Sequence, residues 1–176
     1  GKSGDYHVHS DKEQVYYFTA GRGKMNIDDQ LYEVKQGDAV FGPIQKPHQL
    51  INDSDDWIEH LIINGQGSET AEVTVRNWLD ARPYVGHESA LIWRIFDEVG
   101  KEGLPYEEAP LQGFQSLTMH RMQPGMKGDY HEHEGREQVY YFTEGHGKMK
   151  IDGELYDVTE GDAVCVPPEH KHQMIN

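Results

Sequence analysis

Residues 4–52 read GDYHVHSDKEQVYYFTAGRGKMNIDDQLYEVKQGDAVFGPIQKPHQLIN, and residues 128–176 read GDYHEHEGREQVYYFTEGHGKMKIDGELYDVTEGDAVCVPPEHKHQMIN. The two stretches align without a gap at an offset of 124, with 30 identities in 49 positions. Chance does not give such a match, so the chain carries two copies of one unit. By length alone, 176 residues would suit a single domain. The repeat divides the chain in two.

Each copy is patterned as short strands. Val15–Thr19 and Val139–Thr143 are rich in aromatic and β-branched residues. A Gly-x-Gly turn follows in both, at Gly21 and Gly23 and at Gly145 and Gly147. Met25 and Ile27, like Met149 and Ile151, alternate with polar neighbours at a period of two. Asp28-Asp29 and Asp152-Gly153 then mark hairpin turns. Regular short strands with turns between them predict an all-β sandwich or barrel in each copy. The first barrel is expected over residues 1–64, closing on the strand 57–63, and the second over 86–176. The 65–85 stretch is a linker, with one short helix expected over 69–80.

Histidine is the unusual residue, with eleven in the chain. Six belong to the repeat. The first copy has His7 and His9, then Glu13, then a distant His48; the second has His131, His133, Glu137 and His172. Positions i and i+2 of a strand face one side, so each His-x-His pair projects into one space. The glutamates lie at even spacing from those pairs and join them if the intervening loop keeps the phase. Three imidazoles and a carboxylate suit a divalent transition metal, one per barrel. Iron, manganese, nickel, zinc, copper and cobalt all fit these donors, which do not select among them. Tyr17 and Tyr141, four residues beyond the glutamates, are the catalytic candidates by the same phase argument, with plain packing as the alternative.

These motifs resemble the cupin superfamily. Its first motif has the form G-x5-HxH-x3,4-E-x6-G, matched by Gly125, His131, His133, Glu137 and Gly145, with seven residues rather than six before that last glycine. Its second, G-x5-P-x-G-x2-H-x3-N, is matched by Gly37, Pro43, His48 and Asn52 and by Gly161, Pro167, His172 and Asn176, without the glycine after the proline. The resemblance implies two double-stranded β-helix (jelly-roll) barrels in tandem, each with a metal, iron or manganese favoured, on the three-His, one-Glu set. It also implies a metal-dependent enzyme acting on a small organic substrate, an oxidoreductase or dioxygenase first. A lyase, decarboxylase or isomerase, or a non-catalytic ligand-binding module, are the alternatives.

Composition narrows the partners. The net charge of −15 repels phosphate backbones, so nucleic acid is not expected. No apolar run is long enough to span a membrane, and no basic-then-apolar segment opens the chain, so a cytoplasmic protein is expected. Cys165 lies in an apolar strand and reads as a buried, inert thiol. Tyr16, Phe18, Tyr140 and Phe142 would form outward faces, either for a homodimer or for packing within the chain. Strands at 90–124 precede only the second copy, and the strand 57–63 follows only the first. Each barrel therefore reads as incomplete, which predicts a longer parent protein or strands from another subunit.

Overall fold

The computed structural model describes residues 2–176 and is all-β apart from two 3-10 turns. Two compact units form: residues 1–82 with 93–119, and residues 83–92 with 120–176. The first contains β1 (Lys2–Ser3), β2 (Lys12–Ala20), β3 (Arg22–Ile27), β4 (Gln30–Lys35), β5 (Asp38–Gly42), β6 (His48–Asn52), β7 (Glu59–Gln66) and β8 (Thr74–Asn77). Next come β9 (Tyr84–Gly86), β10 (Ala90–Asp97) and β11 (Ser116–Met122). The second repeat forms β12 (Gln138–Tyr141), β13 (His146–Ile151), β14 (Glu154–Thr159), β15 (Ala163–Val166) and β16 (His172–Ile175).

In the first unit two sheets of four strands, β1-β6-β3-β4 and β7-β2-β5-β8, make the jelly roll. The expected hairpin forms between β3 and β4, with Asp28 and Asp29 both at positive φ (54° and 63°), as a two-residue turn of this twist requires. Tyr16, Phe18, Met25, Ile27, Val34 and Val40 form one buried cluster. Val15, Tyr17, Ala39 and Phe41, on the other face of β2 and β5, form a second with Ile95, Phe96 and Leu111. So β2 is buried on both sides, and its aromatic run alternates between two cores. Tyr16 and Phe18 are thus interior residues and do not form the expected outward face.

The second repeat keeps the register of the first. β2 pairs β5 from Gln14↔Gly42 to Tyr17↔Ala39, and β12 pairs β15 from Gln138↔Val166 to Tyr141↔Ala163. Its core holds Met149, Val158 and Val166, with Tyr140 and Phe142 packed against them, so these aromatics also point inward. Among the described residues, nothing in the second unit corresponds to β7, β8 and the covering residues 95–111. Val139 and Tyr141 are therefore 67% and 38% exposed, where Val15 and Tyr17 are 1% and 6%. Cys165 is exposed for the same reason, which corrects the expectation of a buried thiol.

The 69–80 stretch contains a four-residue strand, Thr74–Asn77, in place of the expected helix. Thr74 and Val75 pair with Phe41 and Val40, making β8 the outer partner of β5. Only a 3-10 turn, Trp78–Asp80, is helical; Asn77 caps it by accepting from the Leu79 N–H, and Asp80 accepts from the Asn77 N–H. The edge of β5 needs a ladder partner more than this segment needs a helix. Residues 93–119, expected to lead into the second barrel, join the first unit: Ile95, Phe96 and Leu111 complete its second core.

Candidate metal centre

In each repeat an isolated antiparallel bridge closes the site. His7 pairs with His48, and His131 with His172. The bridge brings the His-x-His segment beside the start of β6 or β16. In the first unit the ring centroids of His7, His9 and His48 lie 4.9, 4.5 and 5.4 Å apart. In the second, those of His131, His133 and His172 lie 4.8, 4.5 and 5.3 Å apart. Within each triad, one ligand nitrogen from every ring lies within 4.8 Å of the others.

Hydrogen bonds orient the rings. Nδ1 of His7 donates to the Asp5 carbonyl at 3.0 Å, and Nδ1 of His48 to the Lys46 carbonyl at 3.0 Å. In the second unit His131 and His172 use the carbonyls of Asp129 and His170, at 3.3 and 3.1 Å. With Nδ1 as donor, each Nε2 presents a lone pair to the centre. Nε2 of His48 and of His172 is buried and has no hydrogen-bond partner among the described residues. Nε2 of His131 and His133 are 3.2 Å apart, a separation within reach of one shared ion about 2.1 Å from each. Burial first, and then neighbouring imidazoles, hold His9, His48, His133 and His172 below the usual histidine range. Neutral and convergent, these imidazoles fit a divalent metal.

The carboxylates do not join them. Glu13 is fully buried, but it faces the second core with Val15 and Tyr17. It accepts the Gln112 N–H at 3.0 Å and the Gly113 N–H at 2.7 Å. Burial pushes its carboxyl up, against the pull of those donors. Gly113 is the residue that permits this approach, since a Cβ there would lie 2.5 Å from the Gln66 backbone nitrogen. Glu137 is exposed and stands outside the triad. The reason is phase: Ser10 and Asp11 leave the extended path before β2 begins, and even spacing from His9 no longer means the same face.

Gln14 and Gln138 take the inward place. Tyr16 donates its phenol to Gln14 Oε1 at 2.8 Å, and Tyr140 to Gln138 Oε1 at 2.9 Å. Gln14 in turn donates to Asn64 Oδ1 at 2.8 Å, and Gln138 bonds His133. The same shift moves the tyrosines. Tyr16 and Tyr140 stand 5.9 Å from His48 and His172, whereas Tyr17 packs in the second core and Tyr141 is partly in solvent. The expectation for Tyr17 and Tyr141 is corrected by one residue in each repeat. Burial pushes the Tyr16 and Tyr140 phenols up to about 12, so both stay protonated donors. The sequence held a signal for this: six residues separate Gln14 from Gly21 and Gln138 from Gly145, the motif's own spacing, which the glutamates miss by one.

A jelly roll that repeats within one chain, each copy closing three histidines around one point, defines a double-barrel protein with a metal-ready centre in each barrel. Residues 1–64 and 118–176 match the family model for the cupin domain, and the chain belongs to that family. It is 41% identical over 46 residues to an uncharacterized protein of Methanocaldococcus jannaschii, across 26% of this chain and 37% of that one. Its fold is similar to the oxalate decarboxylase of Lactobacillus farciminis in its formate complex, with a TM-score of 0.74 and 16% identity over 99% of this chain and 69% of that one. It is also similar to a mutant salicylate 1,2-dioxygenase of Pseudoaminobacter salicylatoxidans in complex with gentisate, with a TM-score of 0.71 and 16% identity over 99% of this chain and 62% of that one. The chain thus spans about a third of the length of the curated relative and about two thirds of the length of these solved structures. No helix among the described residues is long and apolar enough to cross a membrane.

Proposed function

We propose that each barrel binds one divalent transition metal through its three histidines and that the protein is a metal-dependent enzyme acting on a small organic substrate. The observation that carries this reading is the buried, unpaired Nε2 of His48 and its counterpart in His172. Leaving such an atom without a partner costs about 1–3 kcal/mol, and a metal removes that cost. An all-imidazole set without thiolate suits iron, nickel, copper and zinc alike, so the metal is assigned as a class. Bound there, the metal would supply Lewis-acid and redox chemistry at positions left open to substrate.

The chain's own residues bind and orient. Carbonyls of Asp5, Lys46, Asp129 and His170 fix the ring tautomers. Tyr16 and Tyr140 hold the glutamine side chains. Oxidation of the substrate with dioxygen is the leading reaction, in keeping with the fold's likeness to a dioxygenase. The likeness to a decarboxylase supports non-oxidative cleavage as a second reading. An oxygen-electrode trace on iron-loaded and manganese-loaded protein, with gentisate, salicylate and oxalate, separates them. Substrate-dependent oxygen uptake supports the first; substrate loss without net uptake supports the second. Metal binding without turnover of any substrate would leave a ligand-binding module.

A further inference from the structure

The second unit carries a side-chain pair behind its histidine triad. His87 sits at the tip of the β9–β10 hairpin, where His87 and Glu88 both take positive φ (47° and 63°). The tip is held against the segment that leads into His131. Ser89 Oγ donates to the Lys127 carbonyl at 2.8 Å, and a Cβ on Gly128 would lie 3.4 Å from the His87 carbonyl oxygen. There the His87 ring stacks on that of His131, with centroids 4.8 Å apart and planes 19° apart. Its Nδ1 donates to Oδ1 of Asp129 at 2.8 Å. The other carboxylate oxygen of Asp129 lies 3.2 Å from Nδ1 of His131. All of these residues belong to the second unit.

The two oxygens of one carboxylate thus join an outer imidazole to a ligand imidazole. A metal at Nε2 of His131 would draw electron density from the ring. A carboxylate at Nδ1–H returns it, which makes Nε2 the stronger donor and fixes the ring's orientation. In the repeat, Asp5 corresponds to Asp129 and His7 to His131. His7 meets the Asp5 carbonyl at 3.0 Å. Among the described residues, no outer histidine and carboxylate group with His7 as His87 and Asp129 do with His131. The Asp129 side chain is 39% exposed, so water screens much of its charge, and direct contact with the ring carries the effect.

We propose that Asp129 and His87 are positioning residues of the second metal centre. The Asp129 carboxylate accepts the Nδ1–H of His131, His87 holds that carboxylate in place, and the pair tightens metal binding at this centre. This rests on the reading of His131, His133 and His172 as metal ligands. The test uses the full chain carrying His48→Ala, which empties the first centre, with zinc affinity measured by competition with a coloured chelator. Asp129→Asn keeps the shape and removes the charge, and should weaken zinc about tenfold. His87→Phe keeps a stacked ring and removes the donor. It should weaken zinc by a smaller factor and add nothing to Asp129→Asn. Glu132→Gln removes an exposed charge between two ligands and should change affinity by no more than about twofold. In the zinc-loaded protein the Nδ1–H proton of His131 should move upfield in the NMR spectrum of Asp129→Asn, a change that a merely structural role would not produce. An affinity unchanged in Asp129→Asn, or lowered equally in Glu132→Gln, overturns the proposal while leaving the metal centre standing. So does a loss of affinity with an unmoved proton and a lower melting temperature of the metal-free variant. If Asp129→Asn does not fold, His87→Phe decides, and unchanged affinity there overturns the proposal. An effect of His87→Phe that persists in Asp129→Asn overturns the place given to His87. A His48→Ala parent that takes up no zinc overturns the metal reading of this centre, and the proposal with it.

Discussion

Gln14 and Glu13 are adjacent, and one position decides what each does. Gln14 looks into the barrel, tied to Tyr16 and Asn64; Glu13 looks out, into a second core. Glu13→Gln should therefore leave metal content unchanged, whereas Gln14→Glu should raise metal affinity by about tenfold or more by adding a charge at the centre. Competition with a coloured chelator measures both; loss of metal in Glu13→Gln would return that residue to the ligand set. The histidines give a second residue-scale prediction. Burial holds His48 and His172 below their ordinary value near 6.5, so below that pH the unfolded chain takes up protons that the fold resists. The unfolded state then binds more protons, and stability rises with pH. Metal-free protein should melt at progressively lower temperature as pH falls from about 6.5 toward 5, and should change little between 7 and 8. Thermal melts with a chelator present check this.

At the scale of elements, the pattern of the strands was legible and their depth of burial was not. Period-two alternation in Met25 and Ile27, the Asp28-Asp29 turn and the repeat itself are local signals, and they placed β3, the hairpin and the duplicated sheet correctly. The phase of β2 against the His-x-His segment depends on two residues, Ser10 and Asp11, that leave the extended path. No periodicity crosses such a break, so the inward residues were displaced by one. The role of 93–119 was hidden for another reason: Ile95, Phe96 and Leu111 find their partners through contacts far apart in sequence. Glu13 is the anchor of that cover. Glu13→Ala leaves the Gln112 and Gly113 N–H groups without their acceptor and should cost about 1–3 kcal/mol, read from denaturant midpoints at unchanged metal content. Equivalent positions in the two repeats should also respond unequally. Phe41→Ala, in a sealed core, should cost about 3–5 kcal/mol. Cys165→Ala, at the exposed counterpart, should stay within about 0.5 kcal/mol.

At the scale of the whole molecule, duplication gives two centres with the same ligands and different surroundings. The first lies in a unit whose β2 is buried on both faces; the second lies in a unit whose β12 has one face in solvent. The family and the jelly roll were readable because His-x-His, the distant histidine and the turn glycines recur in register. Neither Glu13 nor Glu137 reaches a triad; the carboxylate beside one is that of Asp129, 3.2 Å from Nδ1 of His131. The claim that rests on all of this is one metal per repeat, held by three imidazoles. Elemental analysis of reconstituted, desalted protein tests it most directly, on the parent and on His48→Ala and His172→Ala. About two equivalents of divalent metal are expected in the parent and about one in each variant. Less than about a tenth of an equivalent in the parent, or loss of both metals from a single substitution, would contradict it.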